Sequence, residues 1–221
     1  MNMAVYESAM LKAGDVEQST RRARTILEGC GAMLRDDFQC AGDMLLSLND
    51  STTPRDAAYD TKAFAGRIAF GGNFNCSDVS PYPSGPVRIT MIRWGEGADE
   101  AGRIVVGRTN LDGVSLTSYV GIAIGDEVNI GPRTVIMDCD GHPADRRLPD
   151  VLENKKMEPV VIEDHAHIGY SAMIMKGVTV GHHAVVAPGA VVMWDVPPCS
   201  YVVGNPAKSS KVYRRYLQPG N

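Results

Sequence analysis

The stretch that decides the fold is residues 162–196, IEDHAHIGYSAMIMKGVTVGHHAVVAPGAVVMWDV. An aliphatic residue recurs in it every six positions, at Ile162, Ile168, Ile174, Val180, Val186 and Val192. A small or branched apolar residue follows four positions after each of these, at Ala166, Ala172, Val178, Ala184, Ala190 and Val196. The same phase is present upstream, at Val106, Ile124, Ile130 and Ile136.

A period of six fits neither the 3.6-residue period of a helix nor the two-residue alternation of one strand. It requires a unit of one short strand and one corner, and three such units close a triangular coil of about 18 residues. Successive coils stack at the strand spacing of about 4.8 Å. The sequence therefore predicts a mainly β fold, a parallel β-helix of hexapeptide repeats. A β-sandwich is the alternative, but it has no reason to keep this phase over six repeats.

The rest of the chain divides into three pieces around this repeat. Residues 1–60 predict an N-terminal helical segment and linker, with apolar residues at three- and four-residue steps: Ala23, Ile26, Leu27, Cys30, Met33 and Leu34. That stripe packs either on the rest of the chain or on a partner subunit. Residues 61–205 predict the β-helix, which opens with one or two atypical coils. Residues 206–221 form a basic C-terminal tail.

The repeat is interrupted after Ile136. Its phase predicts an apolar residue at position 142, yet that residue is His142, and the next clean repeat starts at Ile162. We interpret the gap as one coil of about 18 residues plus about eight more, with an excursion loop at about 140–159. Loops on a rigid scaffold commonly carry function, and His142 lies at the root of this one.

Gly141-His142-Pro143 at the root of a loop resembles the catalytic histidine of the hexapeptide-repeat (left-handed β-helix) acyltransferases, in particular the maltose/galactoside and polysaccharide O-acetyltransferase group. Residues 175–213 resemble the C-terminal signature of that group. The resemblance implies a left-handed helix, a homotrimer and acetyl-CoA as co-substrate. It also implies that His142 is the general base, which takes a proton from a hydroxyl of a sugar or polysaccharide precursor and allows direct transfer in a ternary complex.

The same resemblance implies which residues bind the substrates. A coenzyme A groove between neighbouring β-helices is expected to involve Tyr170, Pro188, Met193, Trp194, Lys208 and Lys211. Relatives often have Thr-Lys at positions 193 and 194, where a tryptophan could instead stack on adenine. Basic side chains of the tail, including Arg214 and Arg215, are expected at the phosphates. The acceptor-binding candidates are Asn110, Asp112, Asp138, Asp140 and His167.

Composition narrows the remaining classes. The net charge of −4 does not favour a nucleic-acid partner, and no apolar run approaches the roughly 20 residues of a membrane span. The N-terminus lacks the features of a signal peptide, and the five cysteines are scattered, so we expect reduced thiols in a cytoplasmic protein. Cys139, three residues before His142, is expected to be an unreactive thiol.

Two alternative functions stay open at this point. One is a γ-carbonic-anhydrase-like zinc enzyme, which the spacing of His165 with His167 and of His182 with His183 disfavours. We therefore expect no metal. The other is a non-catalytic β-helix scaffold, against which the histidine-bearing loop and the coenzyme-type tail argue.

Overall fold

The computed structural model describes residues 6–9, 16–42, 44–50, 64–76, 85–95 and 100–212. Within these ranges the chain forms one α-helix, α1 (Val16–Gly29), and 21 strands, numbered β1 to β21 in chain order. The strands form three sheets, which we call sheets A, B and C.

Each sheet runs the length of the molecule. Sheet A contains β1 (Tyr6–Ala9), β4 (Met44–Asp50), β7 (Val87–Arg93), β10 (Ser115–Ser118), β13 (Val135–Met137), β16 (Met173–Ile174) and β19 (Val191–Val192). Sheet B contains β2 (Met33–Leu34), β5 (Ile68–Phe70), β8 (Ile104–Val106), β11 (Ile122–Ile124), β14 (Val160–Ile162) and β17 (Thr179–Val180). Sheet C contains β3 (Cys40–Gly42), β6 (Phe74–Cys76), β9 (Asn110–Asp112), β12 (Asn129–Ile130), β15 (His167–Ile168), β18 (Val185–Val186), β20 (Ser200–Val203) and β21 (Lys208–Val212).

The chain visits sheets B, C and A in turn from β2 to β19, so each strand pairs in parallel with its equivalent one coil away. Ile124, Ile162 and Val180, for example, are register partners on three successive strands of sheet B. Two antiparallel pairs close the ends, β1 with β4 and β20 with β21. The predicted mainly β fold, a parallel β-helix with an N-terminal helix, is confirmed.

The interior is filled by the residues that set the sequence period. All twelve aliphatic and small residues of the six tandem repeats are buried. They belong to one continuous apolar cluster that extends from Ala23 in α1 to Ala207 near the C-terminal end. Because the two inward positions of each repeat fill the triangle, ligands have to bind outside the coil.

Glycine is needed at several corners because the backbone of the next coil lies too close for a side chain. A Cβ on Gly169 would lie 2.4 Å from the Pro188 nitrogen of the next coil, and one on Gly181 would lie 2.5 Å from the Pro198 nitrogen. Several left-handed corner positions are instead occupied by larger residues, with φ of 60° at His165, 54° at Ser171 and 57° at His183. Close approach of the backbone and a left-handed backbone conformation thus occur at different corner positions.

The N-terminal helix packs on its own chain. Ala23 and Leu27 are fully buried, and the Cys40 N–H donates to Thr20 Oγ1 at 3.0 Å, which ties α1 to β3. The helix is shorter than predicted, since it ends at Gly29, whereas Met33 and Leu34 form β2.

The predicted boundary at residue 60 is therefore wrong, because β2, β3 and β4 pair with β5, β6 and β7 as the first coil. Glycines 29 and 31 end the helical period early, since glycine disfavours a helix interior. The predicted linker extends into residues 51–63, which lie outside the described ranges.

Between β13 and β14 the chain makes an excursion, and the insertion there is longer than predicted. The step from sheet A to sheet B takes six positions in the last regular coil, from Ile174 to Val180, and 26 positions from Ile136 to Ile162. The loop therefore adds 20 residues at one corner, rather than eight beyond a whole coil. None of the helices in the described ranges is long and apolar enough to cross a membrane.

Candidate functional site

The loop leaves the β-helix at the corner between sheets A and B, directly after β13. Asp138 is fully buried there, and its carboxylate accepts four hydrogen bonds. The donors are the N–H groups of Tyr119 (2.7 Å), Val120 (2.9 Å) and Gly121 (2.6 Å) and the hydroxyl of Ser118 (2.8 Å). Burial raises the pKa of Asp138, and these hydrogen bonds oppose that shift.

Asp138 was predicted to bind the acceptor, and its geometry corrects this. Both of its oxygens are already bound by donors of the chain, and no part of the side chain is accessible. Its structural role is to fix the corner from which the loop departs.

The two ends of the loop are joined by a short antiparallel contact. Cys139 and Met157 form an isolated antiparallel β-bridge. The Asp140 N–H donates to the Lys156 carbonyl at 3.2 Å, and the Glu158 N–H donates to the Asp138 carbonyl at 3.0 Å. The buried Cys139 packs in a small apolar cluster: Ile92, Tyr119, Trp94, Leu152 and Met157. Burial raises the pKa of the Cys139 thiol, so it is not an activated thiolate.

An ion pair ties the loop root to the following coil. Lys176 Nζ lies 2.6 Å from Asp140 Oδ1, and both side chains are about one-fifth exposed. Lys176 lies two residues after the end of β16, so this pair fixes the loop root beside sheet A. Asp140, predicted to bind the acceptor, is already paired with a lysine, although it remains partly accessible.

His142 is exposed, two residues beyond that ion pair. Its Nδ1 lies 3.3 Å from the carbonyl oxygen of Pro143. A carbonyl can only accept a hydrogen bond, so in the neutral ring an Nδ1–H that donates to it leaves the lone pair on Nε2. A neutral imidazole held in this tautomer is suited to taking a proton.

The outward side chains of sheet A change from hydroxyl-bearing residues to methionines at β13, the strand from which the loop departs. One outward column contains Ser47, Thr90 and Thr117 on β4, β7 and β10, which are register partners in turn. From β13 onward the same column continues with methionines, at Met137, Met175 and Met193. The loop with His142 departs directly after Met137, at the boundary between the hydroxyl half and the methionine half.

A broad groove of about 950 Å³ lies on a different face, the outer side of sheet C. Five predicted binding residues line it: Asn110, Asp112, His167, Tyr170 and Pro188. Asp112 Oδ1 is buried without a hydrogen-bond partner in the described part of the chain, and burial raises the pKa of this carboxyl. The fold thus places the other four predicted residues in the same groove as the Asp112 carboxyl group, whose Oδ1 has no partner among the described residues.

The predicted coenzyme residues fall on two corners. Met193 and Trp194 follow β19 at the corner of sheets A and B, the corner that also carries His142. Tyr170 and Pro188 lie between sheets C and A, and Lys208 begins β21 at the end of sheet C. Trp194 is 60% exposed, so its ring is accessible for stacking. The side chain of Lys211 and residues 214 and 215 lie outside the described ranges.

The remaining histidines cluster at the corner between sheets B and C. His165 and His183 have ring centroids 4.8 Å apart, and His182 Nδ1 lies 3.4 Å from His183 Nδ1. Both His165 and His183 are exposed corner residues. No group of three or more His, Cys, Asp or Glu side chains within the described ranges has an arrangement that could hold a metal ion.

The fold and this site define a hexapeptide-repeat β-helix of the transferase type, and comparison with known proteins agrees. Residues 159–193 match the family described as "Bacterial transferase hexapeptide (six repeats)". A 2,3,4,5-tetrahydropyridine-2,6-dicarboxylate N-acetyltransferase of Staphylococcus aureus (strain JH9) is 48% identical over 64 residues, 29% of this chain and 27% of that protein. The chain thus spans about a quarter of the length of the curated relatives that it matches.

Solved structures show the same architecture over most of the chain. AntD, an N-acyltransferase from Bacillus cereus in complex with dTDP and 3-hydroxybutyryl-CoA, is 18% identical over 90% of each chain, with a TM-score of 0.56. A maltose O-acetyltransferase from Clostridium difficile 630 is 20% identical over 90% of this chain and 78% of that one, with a TM-score of 0.52. At these identities the likeness establishes the fold. The chain belongs to the hexapeptide-repeat, left-handed β-helix family in which these acyltransferases are found.

Sequence reasoning missed two features of the site. The ion pair between Lys176 and Asp140 was not predicted. The signal for it was a lysine directly after the outward residue Met175, on the coil that follows the loop root. The methionine column was also missed, although Met137, Met175 and Met193 each follow an inward aliphatic residue of the repeat.

Proposed function

We propose that the protein is an acetyl-CoA-dependent O-acetyltransferase that acts on a hydroxyl of a sugar or polysaccharide precursor, with His142 as the general base. The observation that carries this proposal is the position of His142, an exposed imidazole at the root of the loop whose Nδ1 lies 3.3 Å from the Pro143 carbonyl oxygen. The hexapeptide repeat and the O- and N-acyltransferases among the structural neighbours support the reaction class.

In the proposed reaction, His142 Nε2 takes the proton of the acceptor hydroxyl as the oxygen attacks. Acetyl-CoA supplies the thioester, whose carbon–sulfur bond breaks as the carbon–oxygen bond forms. The resulting imidazolium then gives its proton to the leaving sulfur, which returns His142 to the neutral form. A general base typically contributes 10²- to 10⁴-fold, and positioning of both substrates supplies much of the rest.

The residues present fit a coenzyme A. The methionine half of the sheet A face offers a flexible apolar surface beside His142, to which the pantetheine arm is suited. Exposed Trp194 provides a ring for the adenine, and Lys208, with Lys211, provides positive charge for the phosphates. AntD was solved with an acyl-CoA, which supports a coenzyme site on this fold.

We further propose a homotrimer whose three sites lie between subunits. His142, Met193 and Trp194 occupy the corner of sheets A and B, whereas Asn110, Asp112 and His167 line the groove on sheet C. In a triangular prism this corner lies opposite sheet C, so one chain cannot bring the two sets together. Packing sheet A of one subunit beside sheet C of the next joins them, and a closed ring repeats that contact. Cys40, Cys139 and Cys199 form no disulfide within the described ranges, which suits the proposed cytoplasmic enzyme.

The test is release of free thiol from acetyl-CoA in the presence of a panel of sugars, small alcohols and amines. We expect turnover with hydroxyl acceptors and at least a 100-fold loss in His142→Ala with coenzyme binding retained. Turnover with amines alone would replace O-transfer by N-transfer, the reaction of the Staphylococcus aureus relative. Near-normal turnover in His142→Ala would show that His142 is not the general base. Absence of turnover in the wild-type protein would favour a non-catalytic scaffold.

A further inference from the structure

The hydroxyl half of the sheet A face carries polar side chains that the fold does not use. Its outward residues on β7 and β10 are Arg88, Thr90, Ser115 and Thr117, in which Arg88 pairs in register with Ser115 and Thr90 with Thr117. Arg88 is exposed and the other three are partly exposed. None of the four side chains has a hydrogen-bond or ion-pair partner within the described ranges. This differs from Arg108, which pairs with Asp126, and from Arg147, which pairs with Asp145.

This polar patch adjoins the catalytic candidate. Ser115 and Thr117 are register partners of Val135 and Met137 on β13, and the loop that bears His142 departs from the end of β13. Arg88 is in register with Val135, two strand spacings across the sheet and three residues back along the strand from Asp138, so its backbone lies roughly 14 Å from the start of the loop. That separation leaves room for a saccharide between the Arg88 side chain and a reacting hydroxyl at His142.

We propose that this patch binds the acceptor, and that the acceptor carries an acidic group, a carboxylate or a phosphate, which Arg88 recognises. The inference rests on the proposed acyl transfer and specifies its substrate class. A guanidinium matches both anions with two parallel hydrogen bonds, and no acidic outward neighbour on β7 or β10 competes for it. Serine and threonine hydroxyls both donate and accept, so Thr90, Ser115 and Thr117 suit the hydroxyls of a saccharide.

The sharpest test compares acceptors that differ only in charge. Glucose, glucuronate and glucose 6-phosphate are assayed by thiol release, and their binding without coenzyme is measured by calorimetric titration. Wild type should favour one anionic sugar over glucose by at least tenfold, and the two anionic arms separate carboxylate from phosphate. Arg88→Gln should lower kcat/KM and affinity for that anion roughly 10- to 100-fold and should lower them far less for glucose.

The matched control is Arg21→Gln on α1, which removes an exposed arginine whose side chain has Glu17 as its only ion-pair partner in the described part of the chain. It should leave both the preference and the affinity unchanged. An equal preference in wild type and Arg88→Gln, or binding of glucose and not of either anion, would overturn the inference. If no acceptor is turned over, the proposed function fails, whereas anion binding that depends on Arg88 would still support the patch. Absence of both turnover and binding would remove both.

Discussion

The regular coils at residues 160–196 and the loop at residues 138–159 are stabilised in different ways. In the coils, every inward residue of the repeat is buried and each strand pairs with the next. The loop depends on a few particular contacts: the Asp138 hydrogen bonds, the Cys139–Met157 bridge and the Asp140–Lys176 pair. A change in a coil should therefore act on folding, whereas a change at the loop root should act on the geometry of His142.

The largest effect is expected from Ile174→Ala, which opens a cavity in the filled triangle. We expect a loss of about 2–5 kcal/mol in the free energy of unfolding. Met173→Ala is the matched control, because it truncates the adjacent residue of the same strand, which points outward and is 38% exposed. Its effect should stay below about 1 kcal/mol. Urea denaturation of both variants checks this, and equal losses would contradict the assignment of inward and outward faces.

Asp138 lies where the coils and the loop meet. Asp138→Asn should lower the free energy of unfolding by less than Ile174→Ala does. An amide group can accept on one side only, so its NH₂ would face the N–H of Tyr119 or the donors on the other oxygen. The expected loss is about 1–3 kcal/mol, together with reduced turnover. Ser118→Ala removes one donor and should cost less. Wild-type stability in Asp138→Asn, measured by thermal unfolding, would show that these hydrogen bonds do not fix the corner.

Lys176→Met should separate geometry from stability most clearly. The side chains of the Asp140–Lys176 pair are each about one-fifth exposed, so its loss should lower the free energy of unfolding by about 1–2 kcal/mol, less than a cavity in the coil. Turnover should nevertheless fall roughly tenfold, because the loop root that positions His142 is released. Arg147→Met is the control, since it breaks a 2.6 Å pair with Asp145 within the same loop, where the Arg147 side chain is 90% exposed. If both variants keep full turnover in the thiol assay, the Asp140–Lys176 ion pair does not contribute to catalysis.

The smallest effect concerns the pH dependence of stability at Asp112. Burial raises the pKa of this carboxyl in the folded state, so the native protein keeps the proton to higher pH than the unfolded chain. The contribution to stability is therefore full below the unfolded pKa of about 3.9 and is lost as pH rises through the folded pKa. Urea denaturation from about pH 3.5 to 6 should show a steeper fall in wild type than in Asp112→Asn, in which Asp138, whose pKa burial also raises, still titrates. Parallel curves would exclude the shift.

The coils were predictable from sequence and the loop contacts were not, for a physical reason. Ile162 and its equivalents recur because each must fill the same position in a triangle, so the period alone reveals them. The length of the insertion was misjudged because a gap in a period does not show on which sheet the chain returns. Asp138 was misassigned because its donors at Tyr119 and Gly121 come from the preceding coil. The position of His142 was predicted, since the break in phase marked it.

The central claim is that His142 of one subunit acts at the sheet C groove of the next, and mixed assemblies test it most directly. Two separately inactive variants, His142→Ala and the groove double variant His167→Ala with Tyr170→Ala, are co-expressed with different tags and purified together. A site shared between neighbours predicts that about one-quarter of the wild-type turnover returns in a random mixture, since a quarter of adjacent pairs join two intact halves. Folded mixed trimers without any recovery, or active monomers, would contradict the shared site.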